Sequence, residues 1–145
     1  MFVENLKETL NLGKKLSHKL NPKSIILLQG PIGAGKTSLV QGIAQGLSIS
    51  EEITSPTFAL SHHYNSGKIP LVHLDLYRLE NVSSAKEVFL SEEEEAIQRQ
   101  AILVIEWPEL IEPLIKNFWT IEISYAENFG RNYLIRDPKN LLTFS

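Results

Sequence analysis

Ser24-Ile25-Ile26-Leu27-Leu28-Gln29 runs directly into Gly30-Pro31-Ile32-Gly33-Ala34-Gly35-Lys36-Thr37 and then Ser38. The first part is apolar without alternation, as expected of a strand covered on both faces. After Gly35 the apolar residues Leu39, Ile43 and Leu47 recur at four-residue steps, the stripe of an amphipathic helix. The loop between them fits G-x-x-x-x-G-K-[ST] at every fixed position. At ordinary residue frequencies such a match arises by chance in a chain of this size on the order of 0.5% of the time. A buried strand before it and a helix after it are the context the motif requires.

Each residue type in the loop has a physical reason. Glycines allow positive φ and let backbone N–H groups close around an anion without Cβ clashes. Those N–H groups form a nest, and the helix N-terminus adds roughly half a positive charge. Lys36 is placed to reach the outer phosphates of a nucleoside triphosphate, and the Thr37 hydroxyl to ligate Mg²⁺. Gly33, Ala34, Gly35 and Ser38 complete the phosphate cradle. The competing reading, a glycine turn before an ordinary helix, explains neither the lysine nor the hydroxyl.

Mg²⁺ prefers octahedral oxygen ligands and usually one or two carboxylates. Two acids end hydrophobic runs: Glu106 after Ile102-Leu103-Val104-Ile105, and Asp75 after Leu71-Val72-His73-Leu74. The first is the cleaner strand and Glu106 the better ligand candidate. His73 shares a strand face with Asp75, which suits a structural or positioning role. Adjacent His62 and His63 oppose one another and do not form a metal pair. Trp107 and Trp119 read as core or interface residues.

Outward from this centre, residues 5–20 read as a helix with Asn5 and Glu8 in capping-box positions, stopped by Asn21-Pro22. Phe58 to Tyr64 and Ile69 to Leu76 read as strands around a turn at Asn65-Ser66-Gly67-Lys68. Ser84–Glu87 and Ser91–Glu94 each match a capping box, predicting two short helices within 84–99. Ala101 to Glu106 is a second buried strand, Phe118 to Ser124 alternates, and Tyr133 to Ile135 pairs back after Gly130. The expectation is one α/β domain over residues 1–145: a P-loop NTPase with a mostly parallel central sheet, flanking helices and antiparallel C-terminal strands.

Composition narrows the function. The 145 residues carry a net charge of −3 without a lysine–arginine run, and no cysteine. Unaided nucleic-acid binding, disulfides and thiolate chemistry are therefore not expected. Met1-Phe2-Val3-Glu4-Asn5 lacks the basic and apolar regions of a signal peptide, and no apolar run reaches 18 residues, so a cytoplasmic location without membrane association is expected.

Four segments, Gly30–Ser38 (GPIGAGKTS), Ser55–Phe58 (SPTF), His73–Leu79 (HLDLYRL) and Ile105–Glu109 (IEWPE), occur together in an order that resembles one family. It is that of the bacterial tRNA threonylcarbamoyladenosine biosynthesis ATPases. The resemblance implies ATP and Mg²⁺ as cofactors. It also implies two partner proteins in modifying adenosine 37 of ANN-decoding tRNAs, with tRNA contact indirect. By the same resemblance Thr37 and Glu106 are the metal ligands and Lys36 the phosphate clamp. Asp75 would lie beside the metal and attacking water, Thr57 would face the γ-phosphate as a switch-like residue, and Thr9 and Arg131 would lie near the nucleotide. Rival readings remain. A small-molecule kinase would need clustered cations, and the four arginines Arg78, Arg99, Arg131 and Arg136 are scattered. A signalling GTPase would need Asp-x-x-Gly and Asn-Lys-x-Asp, and neither occurs. A non-hydrolysing nucleotide-binding adaptor would need no carboxylate at the metal.

Overall fold

The computed structural model describes residues 1–144. Its strands are β1 (Phe2–Val3), β2 (Ile25–Gln29), β3 (Ser61–Tyr64), β4 (Leu71–Asp75), β5 (Ile102–Glu106), β6 (Trp119–Tyr125), β7 (Arg131–Arg136) and β8 (Leu142–Thr143). The helices are α1 (Leu6–Ser17), α2 (Lys36–Gly46) and α3 (Val82–Arg99), with a short 3₁₀ turn at Glu112–Leu114. The strands form one sheet in the order β1-β7-β6-β2-β5-β4-β3, with β8 also on β7. Its centre, β6-β2-β5-β4, is parallel, and β3, β7, β1 and β8 add antiparallel edges. The α/β class, parallel centre and antiparallel C-terminal strands match the sequence expectation.

Burial explains the unalternating strands. Ile26, Leu28, Leu71, Ile102, Val104, Ile121 and Ile123 pack on one side with Leu12 and Leu16 of α1 and Leu39 and Ile43 of α2. The intervening residues Leu27, Val72, Leu74, Leu103 and Ile105 pack on the other with Ala85, Phe89 and Ala96 of α3. A strand covered on both faces gains nothing from a polar residue at every second position.

Three expectations are corrected. Residues 84–99 are not two helices but part of the single α3, whose N-cap is Asn81, accepting from the Ser84 N–H. Ser91 lies inside that helix, so its capping-box pattern is incidental. The edge strand starts at Ser61 rather than Phe58, which stands 85% exposed in the preceding loop. The two-residue strands β1 and β8 are too short to leave a periodic signal. Helix α1 is capped by Asn5 as expected, although Glu8 reaches back to the N–H of Glu4 rather than that of Asn5.

Candidate functional site

Strand order brings the chemistry together. Strands β2, β5 and β4 are neighbours and parallel, so their C-terminal ends emerge on one rim. Leu28, Glu106 and Asp75 lie in one cross-strand row. The glycine loop departs from β2 just beyond that row, and ligands in open α/β sheets bind outside such carboxyl ends. A cavity of about 470 Å³ there is lined by Gly33, Gly35, Lys36, Thr37, Ser38, Thr57, Asp75 and Glu106, together with Ile32, Ser55, Phe58, Tyr77 and Trp107.

The loop conformation follows from its glycines. Gly33 and Gly35 have φ of 82° and 104°, a region that side chains disfavour. Gly35 is the N-cap of α2 and contributes no side-chain cap. The first-turn N–H groups of α2 thus have no capping side chain at Gly35, as an anion site requires. The Lys36 ammonium donates to the Gly30 and Pro31 carbonyls, at 2.5 and 3.3 Å, and lies 4.3 Å from the centre of the Trp107 ring. Burial pulls its pKa below the usual lysine value, while the carboxylates of Glu106, Asp75 and Glu109 pull the other way.

Both carboxylates are buried and held. Asp75 accepts from the Thr57 hydroxyl at 2.7 Å and from the Tyr77 N–H at 2.9 Å. Thr57 is in turn 2.9 Å from the Ser55 hydroxyl. Glu106 is 3% exposed and is bonded to His73 through one oxygen. Hydroxyl and carboxylate oxygens on one cavity are the hard donors Mg²⁺ takes. Among the described residues no three His, Cys, Asp or Glu side chains cluster as a metal cage. A cation here would therefore draw on Thr37, Glu106, water and a ligand's own oxygens, the manner in which Mg²⁺ is held beside phosphates.

Thr9 and Arg131 lie on the other side of the loop. With Val3, Asn5, Gly33, Ala34, Gly35, Ser38, Phe129 and Tyr133 they line a second cavity of about 260 Å³. The Thr9 hydroxyl is 3.3 Å from that of Tyr133. Arg131 donates through Nε to the Ala34 carbonyl at 3.1 Å and stacks on Tyr125, whose hydroxyl donates to the Ile32 carbonyl at 3.0 Å. The β6–β7 hairpin therefore braces the loop from behind. Sequence reasoning missed Tyr125 and Tyr133, since alternation marks a strand without revealing what its ends touch. Trp107, read as core or interface, is instead half-buried beside Lys36 and Tyr77. The opposed faces expected for His62 and His63 are seen in their partners, Thr54 and Tyr64 for one, Glu92 of α3 for the other.

Comparison with known proteins places this arrangement. Residues 3–133 match the model of the family described as threonylcarbamoyl adenosine biosynthesis protein TsaE. The chain belongs to the TsaE family. A TsaE protein from Nostoc is 44% identical over 133 residues, covering 90% of this chain and 81% of that protein. A Synechocystis TsaE is 45% identical over 117 residues, covering 78% and 72% respectively. Both are described as tRNA threonylcarbamoyladenosine biosynthesis proteins. The crystal structure of Bacillus YdiB superposes with a TM-score of 0.74 at 28% identity, covering 92% of this chain and 80% of that one. The family match takes in the glycine loop, both strand-end acids and Arg131.

Proposed function

We propose that this TsaE-family chain is a Mg²⁺-dependent ATPase of the cytoplasm. Its turnover would support threonylcarbamoylation of adenosine 37 in ANN-decoding tRNAs, together with two partner proteins. The observation that carries the reading is the convergence of Lys36, Thr37, Asp75 and Glu106 on one cavity at the carboxyl rim of a parallel sheet. Lys36 and the loop amides grip the triphosphate, and the ammonium exchanges its two carbonyl partners for phosphate oxygens. Thr37 and Glu106 would hold a Mg²⁺ ion, and such an ion would supply neutralisation of charge developing on the phosphates. Asp75, oriented by Thr57 and Tyr77, holds the attacking water, so that a γ-phosphate contacting Thr57 is sensed at the same carboxylate. The nucleoside extends into the second cavity, which shares Gly33, Gly35 and Ser38 with the first.

The isolated chain is expected to hydrolyse ATP slowly. Among the described residues that line the larger cavity, Lys36 is the single basic side chain, and Arg131 is engaged with Ala34. An arginine supplied by a partner is worth roughly 10³–10⁵ in rate. The test is an ATPase assay with and without the two partners and substrate tRNA, alongside calorimetric titration of the chain with ATP–Mg²⁺. Stimulation by the partners is expected; fast turnover by the chain alone, or no heat of binding, overturns the reading. Phosphate transfer to small molecules would instead favour the kinase alternative, and tight binding without turnover in the full mixture the adaptor.

A further inference from the structure

His73 is a polar residue in an apolar stripe. On β4 it lies between Leu71 and Asp75 on one sheet face, and its register partner on β5 is Val104. The neighbouring side chains of that face, Leu71, Ile102 and Val104, are fully buried in the core shared with α1 and α2. His73 is itself 0% exposed. A valine or leucine there would suit the core better, because a buried imidazole needs partners for two ring nitrogens.

Only one of those nitrogens has a partner. Nε2 lies 2.5 Å from Glu106 Oε2, one step diagonally across the β4–β5 ladder, and Nδ1 has none. A bare Nε2 lone pair 2.5 Å from an ionised carboxylate oxygen would be repulsive, because both atoms could only accept. The proton therefore resides on Nε2, and the bond is Nε2–H donating to the carboxylate. The imidazole thus spends its one strong interaction on the acid at the cavity wall. With Oε2 engaged by His73, Oε1 is the freer oxygen for a cation.

We propose that His73 is a positioning residue for Glu106: it fixes the carboxylate rotation so that one oxygen is presented to the divalent cation. This rests on the reading of Glu106 as a metal ligand given above. Groups that orient ligating side chains in this way typically carry 10–100-fold in metal affinity.

The test measures Mg²⁺ affinity through the Mg²⁺ dependence of binding of a non-hydrolysable ATP analogue, with the metal-free affinity of each variant as its own reference. Mn²⁺ binding followed by electron paramagnetic resonance is the independent readout. His73→Leu is expected to lose 10–100-fold in metal affinity with little change in metal-free analogue binding. His73→Gln, whose amide nitrogen reaches the position of Nε2, is expected to recover most of the loss, and His73→Asn, one bond shorter, is not. If the leucine variant fails to fold, the Gln–Asn pair decides alone. Equal metal affinity in those two variants, or wild-type affinity in the leucine variant, overturns the positioning role. Glu106→Gln separates that failure from the other: wild-type metal affinity there sinks the ligand assignment itself.

Discussion

Lys36 stands under two opposed influences, and they make its titration a probe of the site. Burial lowers its pKa in the free chain, and Glu106, Asp75 and Glu109 only partly offset this. Bound phosphates would raise it, because an adjacent anion favours the ammonium. A group whose pKa is higher in the complex than in the free protein takes up protons on binding. ATP affinity should then fall as pH rises past the lowered value of the free chain toward the higher value in the complex. Calorimetry near the alkaline end, in buffers of different ionisation enthalpy, should show net proton uptake that vanishes in Lys36→Met. At Glu106 the expectation differs in kind. Glu106→Ala should reduce turnover by about 10²–10³, the loss typical when one electrostatic contributor at a reacting centre is removed. ATP binding through the loop should persist, as single-turnover and filter-binding measurements would show. The motif exposes Lys36 and Thr37 outright, because both sit at fixed offsets in a local loop. His73 is less legible, since its partner is 33 residues away on another strand.

At the scale of elements, α1 and α2 meet backbone to backbone. A Cβ on Gly42 would lie 2.5 Å from the Leu10 carbonyl oxygen, and one on Gly13 would lie 2.6 Å from that of Leu39. Neither obstacle is a side chain that can turn aside. Gly42→Ala gains up to about 1 kcal/mol of helix propensity yet forces the two helices apart, so a net destabilisation of about 1–2 kcal/mol is expected in urea melts. Because α2 begins with Lys36 and Thr37, the displacement should also weaken nucleotide binding. The 3.6-residue periodicity finds both helices without showing that Gly13 and Gly42 are their point of contact. Helix α3 teaches the converse lesson. Its two internal capping-box patterns are local signals overridden by continuous packing of Ala85, Phe89 and Ala96 against the sheet.

Across the whole molecule, the N-terminal strand and the β6–β7 hairpin converge on the glycine loop. The Met1 ammonium donates to the Tyr133 carbonyl at 2.7 Å, β1 pairs with β7, and Arg131 of β7 holds the Ala34 carbonyl. The brace at Arg131 is a charged, part-buried hydrogen bond to the Ala34 carbonyl, of a kind worth about 1.5–3 kcal/mol. Arg131→Ala should therefore weaken ATP binding by about tenfold or more, measured by calorimetry, while the metal dependence of that binding stays as in the wild type. A matching loss of Mg²⁺ dependence would place Arg131 in the metal site instead. No helix among the described residues is long and apolar enough to cross a membrane. The sequence by itself determined the strand–loop–helix core, the α/β class and the place of the glycine loop. Those features arise from period, glycine placement and short-range spacing, which a linear chain displays directly. Only the tertiary structure decided that β2, β5 and β4 stand side by side, that Glu106 is met by His73, and that Tyr125, Arg131 and Tyr133 support the loop. Each of these depends on strand order and register, and contacts between residues tens of positions apart leave no periodic trace in either partner's own segment.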